Sequence, residues 1–263
     1  MPTAPLTEDT LDRLVIVLVR ARNPNNIGAV ARAMHDFGFH RLRVVNEFPV
    51  PFEAARSAVD ASSVLADAVL CSSVAEAVAD CTLVVGTTAV GERDLQHELL
   101  TLSEAAPIMR AELARSGGEG RVALLFGSEK TGLSNEELSH CHWLVTIPMH
   151  QHEGARHLSM NLGQAVAVCL YELVRSHDTA TLATDPATSE APPEAAAGLE
   201  RLTTLLGEVL EESGYTRHHP ANSDQAQVRR LVLRIGANAM DAPVWMGVLR
   251  QVLWKLRGHS HEK

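Results

Sequence analysis

Cysteine is scarce in this chain and scattered. Cys71, Cys81, Cys141 and Cys169 form no C-x-x-C pair, which argues against a zinc knuckle or a disulfide framework. Free buried thiols in a reducing compartment are the plain expectation. Aromatic residues reach only 4%, yet apolar residues make up 46%, a globular balance rather than a disordered or fibrous one. No apolar run approaches the roughly 18 residues of a membrane span. Met1–Thr10 has neither the basic start nor the apolar stretch of a secretory signal. The expectation is a cytoplasmic protein with no membrane partner. Basic charge is also short: the net charge is −9, which argues weakly against a nucleic-acid partner. Binding depends on where charge sits, however. Arg20, Arg22, Arg32, Arg41 and Arg43 lie near the start, and Arg229, Arg230, Arg234, Arg250, Lys255 and Arg257 near the end, so a local basic face is compatible with the sum.

The 263 residues suffice for one large domain, or a medium one with an appendage. Short apolar runs at Leu14–Val19, Leu42–Val45, Leu83–Thr87, Val122–Phe126 and Trp143–Ile147 read as buried strands. Helical spacing at Ile27–Phe37, Val74–Ala79, Leu102–Ala114 and Asn161–Arg175 separates several of them. Such alternation predicts an α/β fold with a mostly parallel sheet covered on both faces. The stretch 178–198, rich in Ala, Thr, Pro and Glu, reads as a linker that cannot bury enough surface to order itself. It divides residues 1–177 from a small helical extension over 199–263. There Leu199–Ser213 ends at a C′ glycine, Gly214. Gln225–Ile235 follows a cap at Ser223 or Asp224, and Val244–Leu256 follows Asp241 and Pro243.

Three segments carry candidate chemistry. In Arg22-Asn-Pro-Asn-Asn-Ile-Gly-Ala-Val-Ala-Arg-Ala-Met34 a strand ends in an Asn-rich turn, and Gly28 opens a helix. Backbone N–H groups at such a helix start can hold a phosphate, and Arg32 lies one turn further on the same face. Taken alone, the segment is better explained by an ordinary strand-to-helix turn with a surface arginine, since such turns are abundant. In Leu124-Leu-Phe-Gly-Ser-Glu-Lys-Thr-Gly-Leu-Ser-Asn-Glu-Glu-Leu138 the Gly127–Gly132 spacing imitates a phosphate loop. A Walker loop needs Lys directly after its second glycine; here Leu133 stands there, so an ATPase is excluded. Ser134-x-x-Glu137 also fits a helix capping box. In the third segment Leu144-Val-Thr-Ile-Pro-Met149 leads, through a stretch with His150, His152 and His157, to Leu158-Ser-Met-Asn-Leu-Gly-Gln-Ala165. Polar residues at that helix start can simply cap it. The histidines lack zinc-like spacing, so no metal is expected. A dinucleotide-binding fold would want G-x-G-x-x-G after the first strand, where this chain has Asn-Asn-Ile-Gly.

Together, and in this order, Asn26-x-Gly28-x-x-x-Arg32, Phe126-Gly-x-Glu129-x-x-Gly132-Leu, and Ile147-Pro148 with Ser159-x-Asn161 resemble the three motifs of the SPOUT RNA methyltransferases, in their TrmH-like branch. The likeness extends over Val84-Val-Gly-Thr-Thr-Ala89 and into the helical tail. The resemblance implies a SPOUT fold with a C-terminal trefoil knot, a homodimer with its site shared between subunits, and S-adenosylmethionine as cofactor. It assigns cofactor binding to Thr87, Thr88, Ala89, Gly127, Ile147, Leu158, Ser159 and Met160. Glycine at 127 is expected to leave room for the ligand. It assigns catalysis to Arg32, with Asn161, Ser159 and Glu129 in support, Glu129 holding either Arg32 or the loop. An arginine is a poor base because it keeps its proton, so Arg32 is expected to bind phosphate and steady developing alkoxide charge. The implied reaction is 2′-O-ribose methylation of tRNA at a cytidine or uridine, nucleotide 32 of the anticodon loop. The alternative is a TrmH-like enzyme acting at another tRNA position or on ribosomal RNA. The basic tail would touch phosphates, which position RNA without reading it. An inactive, binding-only relative is disfavoured by the presence of Arg32, Glu129 and Asn161 together. Two departures stand out: a lengthened stretch between Met149 and Ser159, and Met160 where leucine is usual.

Overall fold

The computed structural model describes residues 6–46, 62–89, 95–115, 120–150, 159–175, 192–220 and 224–259. Seven strands form one sheet: β1 (Leu14–Val19), β2 (Arg41–Val45), β3 (Val69–Cys71), β4 (Leu83–Thr87), β5 (Leu99–Thr101), β6 (Val122–Phe126) and β7 (Trp143–Thr146). Their order is β3-β2-β1-β6-β4-β7-β5, and every pairing between them is parallel. The expected mostly parallel α/β fold is therefore present. The five apolar runs became five of these strands; β3 and β5, three residues each, are additional.

The helices are α1 (Glu8–Leu11), α2 (Pro24–Asp36), α3 (Ser62–Ala66), α4 (Val74–Ala77), α5 (Leu102–Leu113), α6 (Asn135–Leu138), α7 (Leu162–Val174), α8 (Ala196–Glu212), α9 (Tyr215–His218), α10 (Gln225–Ile235) and α11 (Asp241–His259). β1 shows why both faces of the sheet are covered. Its side chains alternate between faces, yet all six residues are buried. Leu14, Ile16 and Leu18 join a core with Ile27, Val30 and Met34 of α2, Met109 of α5 and Val166 and Leu170 of α7. Val15, Val17 and Val19 join a second core with Val74 of α4 and Leu138 of α6. α2 and α7 approach closely: a Cβ on Gly163 would stand 2.6 Å from Ala29 Cβ.

α2 starts three residues earlier than its apolar spacing suggests. Pro24 occupies the first turn, and Asn23 caps it by accepting from the Asn25 N–H at 3.0 Å. Proline suits that position because it has no N–H to leave unpaired. Asn25 and Asn26 therefore belong to the helix rather than to a turn before it. In the tail, α10 is capped by Asp224, and Gly214 is left-handed at φ +75°.

The tail helices enclose their own small core of Leu199, Leu202, Val232, Ala242 and Met246. α8 begins at Ala196, inside the stretch read as a linker, and Ala196 N donates to Cys81 O at 2.9 Å. Most of 178–198 lies outside the described residues. Arg229 of α10 docks this layer onto the sheet domain. It is 7% exposed and binds Glu200 at 2.8 Å, Glu136 of α6 at 3.0 Å and the Ser139 hydroxyl.

Candidate active site

Three chain segments end at one edge of the sheet and enclose a cavity of about 400 Å³. The first is Thr87–Ala89, after β4; the second is Phe126–Leu133, after β6. The third combines Val145–Ile147 and Met149 with Ser159, Met160, Leu162 and Ala165 at the start of α7. Parallel strands put their carboxyl ends on the same side, and ligands of open α/β sheets gather there. The volume lies in the range of small-molecule sites. A shallow hollow of about 520 Å³ between α8 and α11, lined by Leu205, Glu208, Arg250, Leu253, Trp254, Arg257 and Gly258, contains none of these segments. The convergence of three strand ends makes the smaller cavity the candidate site.

The expected cofactor residues Thr87, Thr88, Ala89, Gly127, Ile147, Ser159 and Met160 all line this cavity. Leu158, with His152 and His157, lies outside the described residues. The hydroxyl of Thr87 donates to Leu125 O at 2.8 Å, and Thr88 N donates to Val145 O at 3.0 Å. These bonds tie the first wall to the strands on either side of β4. The second wall is a loop folded back on itself. Gly132 N donates to Ser128 O at 2.8 Å, and the Ser128 and Thr131 hydroxyls lie 2.8 Å apart. Gly132 is left-handed at φ +65°.

Glycine at 127 has a reason within the loop itself, beside the expected room for a ligand. A Cβ there would overlap the main chain of Gly132 and Leu133 and stand 2.5 Å from Gly132 O. The close approach is loop against loop. α6 follows the loop directly, and its capping box is formed: Ser134 Oγ accepts from Glu137 N at 3.2 Å, and Glu137 accepts from Ser134 N at 2.6 Å.

Beside the cavity, three polar side chains from distant parts of the sequence meet. Asn26 Nδ2 donates to Glu129 Oε1 at 2.8 Å, and Asn161 Nδ2 donates to Asn26 Oδ1 at 3.2 Å. Asn161 Oδ1 also accepts from Gly163 N at 3.0 Å, capping α7. Asn161 is therefore both a cap and part of the cluster. The hydrogen bond of Glu129 goes to Asn26 rather than to Arg32. Asn26 stands at the centre, although the motif alone marked it only by its place before Gly28. Arg32 lies elsewhere: it does not line the cavity. It is half exposed on α2 and pairs with Asp36 at 3.3 Å.

Many of the basic residues read as a possible RNA face are engaged within the protein. Arg20 pairs with Glu137, Arg41 with Asp12 and Arg43 with Asp80. Asp80, hydrogen-bonded to the Arg43 guanidinium, is held down at about 2 against the opposing effect of burial. Arg229 and Arg230 are buried, and Arg257 pairs with Glu208 and Glu212. Arg22, Arg32, Arg234, Arg250 and Lys255 remain exposed. Among the described residues, no cluster of three or more His, Cys, Asp or Glu side chains could hold a metal. None of the described helices is long and apolar enough to cross a membrane.

With this geometry in place, a model of the SpoU rRNA methylase family matches residues 13–171, the span that holds all seven strands and α7 through Tyr171. The chain belongs to the SpoU methylase family. A curated relative, the tRNA (cytidine/uridine-2′-O-)-methyltransferase TrmJ of Pectobacterium atrosepticum, is 35% identical over 245 residues, 92% of this chain and 97% of that protein. The Klebsiella pneumoniae TrmJ is 33% identical over 94% of this chain and 99% of its own length. Among solved structures, TrmJ from Z. mobilis ZM4 superposes with a TM-score of 0.73 at 30% identity, covering 90% of this chain and 98% of that one. A probable methylase family protein from Haemophilus influenzae Rd KW20 gives 0.55 at 28% identity, covering 94% and 98%. The SpoU match spans the sheet domain, and the TrmJ likeness continues into the helical tail.

Proposed function

We propose that this chain is an S-adenosylmethionine-dependent tRNA 2′-O-ribose methyltransferase that acts on a cytidine or uridine, at nucleotide 32 of the anticodon loop. The observation that carries the reading is the cavity formed by three strand ends, with the Asn26–Glu129–Asn161 cluster beside it. The relatives named above support the substrate class. A SpoU enzyme acting at another tRNA position or on ribosomal RNA is the second reading, favoured by the description of the family that matches.

The cavity fits the cofactor on its own terms. It has the size of a small-molecule site, and its second wall follows a main-chain path that a side chain at Gly127 would obstruct. Thr87–Ala89, Gly127, Ile147, Ser159 and Met160 would hold S-adenosylmethionine, which supplies an electrophilic methyl group when bound. The protein then has to orient a ribose hydroxyl and favour loss of its proton. Asn161 and Ser159 would orient that hydroxyl. Glu129 holds Asn26 and through it Asn161. Arg32 contributes charge: a guanidinium grips a phosphate with two donors and steadies an alkoxide as it forms.

We also propose that the enzyme is a homodimer. Arg32 lies outside the cavity of its own chain, so a site shared between subunits would reunite arginine and cavity. The proposed trefoil knot is supported by the sheet order. β7, the last strand in the sequence, is inserted between β4 and β5 and runs parallel to both. Arg32→Ala tests the catalytic reading. Methylation of a tRNA transcript at saturating substrates should fall about a hundredfold to a thousandfold, the usual cost of losing an oxyanion donor. Affinity for S-adenosylhomocysteine should change little. Full activity in Arg32→Ala would overturn the assignment, and mapping the product's methylated nucleotide decides between position 32 and the alternatives.

A further inference from the structure

β1 ends at Val19, and the next residue adopts a backbone that L side chains rarely take. Arg20 has φ +56° and is the one left-handed non-glycine among the described residues. Its N–H donates to Val45 O at 2.8 Å, which holds this turn against β2. The turn aims the guanidinium across the end of the sheet at the loop after β6. There Nε donates to Glu137 Oε1 at 2.6 Å and Nη2 to Glu137 Oε2 at 2.9 Å, a two-point grip on one carboxylate. Nη2 also donates to the Gly132 carbonyl at 3.0 Å, and Nη1 reaches the Thr131 hydroxyl at 3.5 Å.

These partners are the residues that give the cofactor loop its shape. Gly132 is the left-handed residue whose main chain rests against Gly127. Glu137 is the carboxylate that closes the capping box with Ser134 and so starts α6 directly behind the loop. Burial pushes the Glu137 carboxyl up, but the hydrogen bonds from Arg20 and Ser134 outweigh it and hold it below the usual range; it stays ionised for the grip. Residues 126–133 line the cavity without a break, whereas Arg20 does not line it.

We propose that Arg20 is a positioning residue for cofactor binding, clamping Gly132 and Glu137 so that the 127–133 loop keeps the shape that forms one wall of the cavity. The inference rests on the cavity being the cofactor site. A guanidinium can bridge a carbonyl and a carboxylate at once because its donors are fixed in a plane, and lysine cannot reproduce that fork.

Titration calorimetry with S-adenosylhomocysteine on the full chain, with methylation kinetics on a tRNA transcript, tests it. Arg20→Ala should weaken S-adenosylhomocysteine binding about tenfold or more and raise the KM for S-adenosylmethionine alike. kcat at saturating cofactor should stay within about twofold. Arg20→Lys should fall between wild type and Arg20→Ala. Arg20→Gly separates the clamp from the backbone: glycine accepts a left-handed φ without strain, so its melting temperature should lie at or above that of Arg20→Ala while affinity falls as in Arg20→Ala. Arg43→Ala, which removes an ion pair to Asp80, should lower stability without changing cofactor affinity. Wild-type affinity in a folded Arg20→Gly would overturn the proposal while leaving the cofactor reading intact, as would a loss confined to kcat. Failure of the wild-type protein itself to bind S-adenosylhomocysteine would overturn the cofactor reading, and this proposal with it.

Discussion

Gly127→Ala isolates the packing of the 127–133 loop, because it adds a single carbon where the loop touches itself. That carbon would stand 2.5 Å from Gly132 O and overlap the Gly132 and Leu133 main chain. An ordinary C···O contact is about 3.3–3.6 Å, so one arm of the loop has to move by roughly 1 Å. The obstacle is backbone, and no rotamer change relieves it. Overpacking of this kind costs about 1–3 kcal/mol. At roughly 2–4 °C per kcal/mol for a domain of this size, melting should drop by about 2–12 °C. The displaced arm lines the cavity, so S-adenosylhomocysteine affinity should fall at least about tenfold, or 1.4 kcal/mol.

Gly132→Ala is the matching control. Its added carbon meets nothing within 4 Å, but it must hold φ +65°. Left-handed strain of about 1–2 kcal/mol should lower its melting temperature, with affinity kept within a few-fold. Calorimetry and thermal denaturation of the two variants read both quantities. Wild-type affinity and an unchanged melting temperature in Gly127→Ala would refute the loop-against-loop account of this glycine.

Arg229→Met removes the cation shared by Glu200, Glu136 and Ser139. Breaking a buried pair costs about 3–5 kcal/mol; Glu136 is 61% exposed, which points to the lower end. Limited proteolysis should then cut between the sheet domain and the tail sooner than in wild type, and an unchanged digestion course would count against the docking role. His140 sits among Arg229, Glu200, Glu136 and Glu137, and burial, with the charge of Arg229 next, holds it down at about 4. An unfolded histidine titrates near 6.5. Between those values the unfolded chain binds more protons, so stability is complete above about pH 6.5 and declines as pH falls toward 4. The urea midpoint at pH 5 should lie below that at pH 7, with a shallower difference in His140→Gln. An equally steep variant would assign the titration elsewhere.

The strands that the sequence revealed are those whose apolar runs exceed what a turn can hold. β1 and β6 are unbroken buried apolar runs of six and five residues, and β2 and β4 hold three buried apolar residues each, so the apolar runs alone mark them. β3 and β5 are three residues long and at least half of each lies at intermediate or full exposure, so no pattern could announce them. Asn23, Pro24 and the Ser134–Glu137 capping box are local signals, and the capping box is legible at once because both partners lie within four residues. The start of α2 was misplaced because its first turn is polar and carries no apolar stripe.

Residue type and spacing by themselves determined the parallel α/β plan, the helical tail and the three polar segments, because these depend on hydrophobic period and on turns a few residues long. Only the tertiary structure decided which of those residues meet. Asn26 finds Glu129 103 positions away and Asn161 135 positions away, and Arg20 reaches Glu137 across 117. It also decided which charges are spent: Arg229 reads as part of a basic tail but is buried against two carboxylates. Pairing across such separations follows from strand order and loop path, and a parallel sheet brings distant strand ends to one edge whatever lies between them in sequence.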